Sequence, residues 1–135
     1  MSLQYSVLVR NAKLDAVETA IGASAVLKIR SGAAPANVAA ADSGTVLATL
    51  NLPADWMAAA ASGSKSKSGT WEDTSADATG TAAHFRIYAS DGTTAHAQGT
   101  VTATGGGGDM TVDSTSFTAG QNFTVTGFTI TAGNA

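Results

Sequence analysis

Two runs of alternating side chains around an Asp91-Gly92 step constrain this chain more than any other feature. In residues 83–89, and again in residues 95–103, small or apolar side chains occupy every second position and mostly polar ones lie between them. A period of two indicates strands that bury one face. An Asp-Gly step between two such runs is a strong signal for a β-hairpin. The sequence therefore predicts a long hairpin over residues 83–103.

The register of this hairpin follows from the side chains that need burial. A two-residue loop would place polar and apolar side chains on the same face, whereas a shift of one residue pairs Phe85 with Gly99 and Ile87 with Ala97. Burial of the two large side chains contributes roughly 1.5–3 kcal/mol each, more than a turn preference supplies. We therefore expect the shifted register, with an odd loop or a β-bulge near Gly92-Thr93.

The opposite face of the hairpin carries the polar side chains. In the shifted register, His84 lies opposite Thr100 and Tyr88 lies opposite His96. The two histidines are several residues apart along the hairpin, and a zinc site needs three or four ligands. We therefore interpret them as surface or interface residues and predict no metal site.

Residues 6–21 carry the one convincing helical pattern. Gly22 is suited to end this helix, and either Ser6 or Asn11 can cap its first turn. The apolar stripe is narrow and rich in alanine, so we expect the helix to lie against a sheet or another chain. Four apolar residues define the stripe: Val7, Leu14, Val17 and Ile21.

Residues 25–131 show strand patterns separated by turn signals. Further strands are predicted at 25–30, 45–52, 69–72, 110–113 and 121–131. A change of phase at Gly127 predicts either a bulge or a strand buried on both sides. Residues 31–43 and 62–69 are predicted loops, and the second would expose Lys65 and Lys67 to solvent. Residues 54–61 form either a short helix or a loop that inserts Trp56 into the core.

One helix and seven or eight short strands predict a mainly β fold: an antiparallel β-sandwich or jelly-roll-like domain, or a small barrel, with one N-terminal α-helix. The length of 135 residues predicts a single domain, 1–135. Charged residues make up 13% of the chain, against a usual ~25%. Such a neutral surface is suited to meeting other subunits.

The same composition argues against several classes of protein. A net charge of −3 disfavours a nucleic-acid-binding protein. No apolar run approaches the ~18 residues of a membrane span, and the start MSLQYSVLVR lacks the pattern of a signal peptide. We therefore expect neither nucleic acid nor a membrane among the partners.

No group of side chains predicts catalysis or a cofactor. The chain has no cysteine, and it contains neither a GxSxG nor an HExxH motif. Asp109 with Asp113, and the acids within 72–77, could offer oxygen to calcium, but they lack the spacing of an EF-hand. The run Gly105–Gly108 lacks the lysine and helix of a phosphate-binding loop. It predicts instead a loop with positive φ angles or a close backbone approach.

Five sequence segments resemble segments of small structural proteins of tailed bacteriophages and prophages: VRNAKLDAVETAIG, LKIRSGAAPAN, LNLPADWMAAAASG, HFRIYASDG and QGTVTATGGGGDM. The similarity covers nearly the whole chain, and these segments mark no active site. The resemblance implies a virion structural protein without enzymatic activity. The nearest functional analogy is a capsid decoration, or cement, protein, a small β-sandwich or jelly-roll domain on the capsid exterior.

This analogy implies the major capsid protein and further copies of the chain as partners, in a homo-oligomer. The candidate interface residues are Val7, Leu14, Val17 and Ile21 of the helix and Lys65 and Lys67 of the loop. The alternative is a structural or carbohydrate-binding module of the tail, baseplate or fibre. In that alternative, the sugar-stacking residues would be Trp56, Trp71 or Tyr88.

Overall fold

The computed structural model describes residues 2–135 and confirms a mainly β fold with one helix near the N-terminus. Strands account for 40% of the chain and helix for 11%. The helix, α1, spans Val7–Ile21. Nine strands follow it: β1 (Val26–Ser31), β2 (Val46–Asn51), β3 (Ser64–Ser66), β4 (Trp71–Asp73), β5 (Gly80–Tyr88), β6 (Ala95–Ala103), β7 (Met110–Val112), β8 (Ser116–Phe117) and β9 (Phe123–Thr131).

The strands form a curled sheet in the order β2-β1-β5-β6-β7-β9-β3. Strand β4 pairs with β9, and β8 pairs with β5. This curled arrangement is compatible with the predicted sandwich or jelly roll. The sheet is mixed, however, because β6 and β7 are parallel while the other neighbours are antiparallel.

The glycine run permits the short return between the two parallel strands. Gly105 and Gly107 adopt φ angles of 88° and 80°, which side chains other than glycine rarely adopt. A Cβ at Gly106 or Gly108 would press against the side chain of Thr102. Both properties expected of this loop, positive φ and a close approach, are therefore confirmed.

The hairpin adopts the predicted register, with Phe85 opposite Gly99 and Ile87 opposite Ala97. The bulge lies elsewhere than predicted, because the extra residue is His96 in β6, and Tyr88 consequently pairs with Ala95.

The carboxylate of Asp91 explains why the bulge lies at His96 and not in the turn. It accepts hydrogen bonds from the backbone N–H groups of Thr93 and Thr94 at 2.9 Å each, and Ala89 N–H bonds Thr94 O at 3.0 Å. The turn is therefore closed locally, and the irregularity is displaced into the strand.

Strand β5 is buried on both faces, which corrects the expectation of a polar outer face. Phe85 and Ile87 point into the core, as predicted. On the other face, His84, Arg86 and Tyr88 are 1%, 2% and 0% exposed. The segment 32–44, predicted as a loop, covers this face and supplies their hydrogen-bond partners.

The aromatic side chains form the centre of the core. Ring centroids follow one another from Trp56 to Trp71 at 6.0 Å, to Phe128 at 5.8 Å and to Phe85 at 5.5 Å. Trp56 lies in a non-helical loop that inserts it into the core, one of the two predicted alternatives. The proposed sugar-stacking role of Trp56, Trp71 and Tyr88 is wrong, because all three are at most 1% exposed.

Strand β9 contains the bulge expected near Gly127. Its register against β7 passes from Gly127 directly to Val125, so Thr126 is the extra residue. Val125 and Phe128, which have opposite phases in the sequence, are consequently both buried. The alternative that this bulge restores one buried face is confirmed.

Candidate assembly interface

The side of helix α1 that faces the sheet combines buried apolar residues with polar contacts. Arg10 Nε donates to Ala132 O at 3.0 Å, and Asn11 Oδ1 accepts from Gly63 N–H at 2.9 Å. Gly63 has a φ of 73° and lies so close to Arg10 that a Cβ there would clash with the guanidinium. The helix is therefore docked by specific polar contacts as well as by apolar packing.

The centre of this contact is a buried ammonium group. Lys65 of β3 is 3% exposed, and its Nζ lies 2.7 Å from Asp15 Oδ1 and 3.0 Å from Glu18 Oε1. The third donor of the ammonium bonds Ala58 O at 2.9 Å. We refer to Lys65, Asp15 and Glu18 as the helix anchor. All three ammonium protons have acceptors, which offsets the cost of burying the charge.

The carboxylates of the anchor also bind the segment before β3. Asp15 Oδ1 accepts from Ala60 N–H at 3.0 Å, and Glu18 Oε2 accepts from Met57 N–H at 3.0 Å. These backbone donors belong to segment 57–61, which otherwise pairs with the β3 region only through isolated bridges. The anchor therefore holds helix, strand and connecting segment together.

Mutual stabilisation keeps the anchor charged. Burial alone would lower the pKa of Lys65, but hydrogen bonds to Asp15 and Glu18 outweigh it and raise the pKa. The hydrogen bond from Lys65 lowers the pKa of Asp15. Burial raises the pKa of Glu18, but hydrogen bonds from Met57 N–H and Lys65 reverse the shift and lower it.

The N-terminal segment carries large apolar side chains that remain exposed. Among residues 2–135, the exposed large hydrophobic side chains all lie within residues 3–17. We define them as the N-terminal apolar surface: Leu3 (64% exposed), Val7 (51%), Leu8 (80%), Val9 (40%) and Val17 (39%). Ala12, Ala16 and Ala20 extend it along the helix at steps of four residues and are also exposed.

The structure divides the predicted interface residues into two groups. Val7 and Val17 belong to the N-terminal apolar surface, and Lys67 is partly exposed, with its ammonium bonded to Gly69 O at 2.8 Å. Leu14 and Ile21 are 4% and 7% exposed. They pack under the helix within their own chain, so they are not available to a partner.

The prediction that Lys65 is solvated in a loop is wrong. Residues 64–66 form strand β3, which pairs with β9, and this pairing directs Lys65 inward to the anchor. The sequence gives no local signal that Asp15 faces the sheet, because its partner Lys65 is 50 residues away. Sequence reasoning also missed Leu3, Leu8 and Val9, which lie outside the predicted stripe. The clustering of six large aliphatic residues within 3–17, more than one buried stripe can hold, was the available signal.

A second charged cluster fixes segment 32–44 on strand β5. Asp42 accepts from Arg30 Nη2 at 3.0 Å, from Arg86 Nη1 at 2.9 Å and from the Tyr88 hydroxyl at 2.7 Å. Burial raises the pKa of Asp42, but the Tyr88 hydroxyl and the two guanidinium groups reverse the shift and lower it. We call this cluster the clamp.

The clamp adjoins a cleft of about 410 Å³. Arg86 lines this cleft, but its Nη2 is bonded to Asn37 O at 3.0 Å and to Gln98 Oε1 at 2.9 Å, and its Nε also bonds Gln98. Its Nη1 is occupied by Asp42. The guanidinium is thus committed to holding the fold together, which leaves the N-terminal apolar surface as the strongest candidate for recognition.

Other kinds of site lack the required groups. Within residues 2–135, no three His, Cys, Asp or Glu side chains converge on a possible metal position. His84 Nδ1 lies 2.7 Å from Gly32 O in the buried face of β5, whereas His96 is exposed on β6. No helix in the same range is long and apolar enough to cross a bilayer.

Comparisons of the chain with protein-family models, with curated proteins and with solved structures found no match. Its function must therefore be inferred from its surface and its chemistry.

Proposed function

We propose that this protein is a non-enzymatic structural component of a bacteriophage particle, a capsid decoration protein that binds the exterior of the head. The N-terminal apolar surface is the observation that carries this proposal. A concentration of exposed large apolar side chains on a folded domain marks a site of protein interaction. Among residues 2–135, the large exposed apolar side chains are confined to one short segment.

The architecture behind that surface supports an assembly role. The helix anchor holds α1 on the sheet without using Leu8 or Val9, so these side chains are presented on a fixed support. A preorganised surface loses little conformational entropy on binding. The low charge of the chain, 13%, also reduces the cost of desolvating a broad contact. The five sequence segments that resemble phage structural proteins support a location in a virion.

Binding at many equivalent positions of a shell would stabilise the shell, because each bound copy adds buried area between neighbouring subunits. The expected partners are the major capsid protein and further copies of this chain. A location on the tail or baseplate is the competing outcome, and particle imaging separates the two.

Co-sedimentation with capsid shells tests the proposal. Leu8→Glu places a charge at an 80% exposed position of the N-terminal apolar surface, so we expect loss of shell binding with unchanged folding. Thr118→Glu, which adds the same charge at an exposed turn between β8 and β9, should bind as the parent does. Equal binding of both variants, or density on the tail and none on the head in cryo-EM of the native particle, would refute the proposal.

A further inference from the structure

The sheet contains a gap one strand wide between β6 and β9. The ladder of β7 with β6 begins at Val101–Met110, and the ladder of β7 with β9 ends at Met110–Phe128. Among residues 2–135, no strand continues β7 beyond Met110 in the space between its two neighbours. At Met110–Val112, β7 alone fills the space between β6 and β9. The gap, which lies on the N-terminal side of Met110, therefore has the width of a single strand.

Backbone groups of β6 point into this gap. Thr100 N–H donates to Asp109 Oδ2 at 2.9 Å, and Thr104 N–H donates to Val112 O at 3.1 Å. Even-numbered residues of β6 in this stretch therefore face β7. Since successive residues alternate direction, the backbone N–H and C=O of Gln98 face the gap.

The same argument applies to β9 on the other side. Lys67 N–H donates to Phe128 O at 2.9 Å, and Ala132 N–H donates to Gly63 O at 3.1 Å. Even-numbered residues at this end of β9 thus face β3. The backbone groups of Thr129 and Thr131 consequently face the gap, opposite those of β6.

The gap forms a cleft of about 360 Å³ with an apolar floor and a polar rim. Its floor is made of core side chains, Phe85, Ala97, Phe128 and Ile130, and its rim includes Asp109. Asp109 is the one charged residue among those lining the cleft, and it is exposed. A strand with small apolar side chains inward and a basic side chain near Asp109 matches these features.

We propose that this cleft accepts one extended segment of a neighbouring shell subunit as an added β-strand, with a lysine or arginine of that segment paired to Asp109. The identity of the donor as a shell subunit rests on the proposed function. The strand-accepting chemistry follows from the edges of β6 and β9 alone, because unpaired strand edges bind extended backbone.

A second copy of the chain does not fit as donor, because its basic residues lie in other structures. Lys28, Arg30 and Arg86 lie in strands paired on both sides, and Lys65 and Lys67 lie along the contact of β3 with β9. Arg10 and Lys13 lie in α1. Within residues 2–135, no unpaired extended segment therefore carries a positive charge, so a different polypeptide fits the cleft better as donor.

Amide hydrogen exchange with a model strand tests the cleft independently of any shell. The probe is the capped heptapeptide Thr-Val-Thr-Lys-Thr-Val-Thr, compared with the same peptide in which Glu replaces Lys. We expect the lysine peptide to protect the amides of Gln98, Thr129 and Thr131 and to bind about fivefold more tightly than the glutamate peptide. Protection elsewhere, or none at these three amides, would overturn the proposal.

Two pairs of variants give the controls. Asp109→Asn retains an oxygen for Thr100 but removes the charge, so it should abolish the preference for the lysine peptide; Asp113→Asn, at the other end of β7, should retain it. Ala97→Phe fills the floor of the cleft and should prevent binding, whereas Ala103→Phe, exposed at the far end of β6, should not. If the two variants of either pair bound the peptides equally, the cleft would not be the peptide-binding site.

A shell experiment separates this proposal from the proposed function. In one outcome, Leu8→Glu abolishes shell binding and Ala97→Phe leaves it intact. This result would support the decoration function and overturn strand donation by a shell subunit. Loss of shell binding in both variants, with protection of Thr129 in the bound parent, supports both proposals. Absence of shell binding by the parent protein overturns the decoration function and the shell subunit as donor, while the peptide result still decides the strand-accepting chemistry.

Discussion

Both sides of helix α1 depart from those of an ordinary surface helix. The side against the sheet contains Asp15 and Glu18, both bonded to the ammonium of Lys65. The outer side presents Leu8 and Val9, which are 80% and 40% exposed. An isolated domain would normally place its charges outside and its large apolar side chains inside.

This difference shows which contacts the chain completes within itself. On the inner side, every donor of the Lys65 ammonium has an acceptor in the same chain. On the outer side, the apolar side chains have no counterpart in residues 2–135. The inner side therefore serves folding, whereas the outer side is free to serve the partner binding proposed above. Substitutions on each side separate the two roles.

Removing the ammonium of the anchor should have the largest effect on stability. Lys65→Met retains a long side chain but leaves Asp15 and Glu18 beside a buried apolar group. We expect the free energy of unfolding to fall by about 3 kcal/mol, at the lower end of the cost of breaking a buried ion pair, because Asp15 is half exposed and can recover solvent. Urea denaturation measures this change.

Lys67→Met is the matched control, two residues further along the chain. Lys67 is partly exposed and bonds a backbone oxygen, Gly69 O, so its replacement should change the free energy of unfolding by at most ~0.5 kcal/mol. A similar loss for both lysines would show that the anchor is not what docks the helix.

Apolar packing beneath the helix should have the next largest effect. Leu14 is 4% exposed, and Leu14→Ala should lower the free energy of unfolding by about 2–3 kcal/mol through lost burial and a residual cavity. Leu8→Ala removes the same atoms from the outer side and should change it by at most ~0.5 kcal/mol. If Leu8→Ala were as destabilising as Leu14→Ala in the isolated protein, the outer side would also serve folding.

The sequence predicts those parts of the fold that depend on neighbouring residues. Alternation alone specifies the pairing of Phe85 with Gly99, and the change of phase at Gly127 specifies the bulge in β9. Contacts between distant segments cannot be read in this way. The anchor joins residues 50 apart, and an isolated Lys65 in a Ser- and Gly-rich stretch has the composition of a solvated loop.

The polar face of β5 shows the same limit. Arg86 and Tyr88 alternate with apolar residues as on a strand exposed on one side, yet Asp42 reaches them from a segment 44 and 46 residues away. Alternation reports which side chains share a face, but only the covering segment decides whether that face meets solvent. For the candidate interface, the apolar residues of 3–17 were visible in the sequence, whereas their orientation depended on the anchor.

The acid dependence of stability should give the smallest and most specific difference between the two sides. Glu18 has a lowered pKa in the folded protein, so its charge stabilises the fold at neutral pH, and this contribution is lost as pH falls below the ordinary value of about 4.3 and through the lowered pKa. Glu18→Gln should therefore be less stable than the parent at pH 7, and the difference should shrink below pH ~4. Glu72→Gln, at an exposed position of β4, is the control and should be about as stable as the parent at pH 7. Urea denaturation at a series of pH values measures both, and a deficit of Glu18→Gln that persists undiminished in acid would mean that the shape of Glu18, and not its charge, holds the helix.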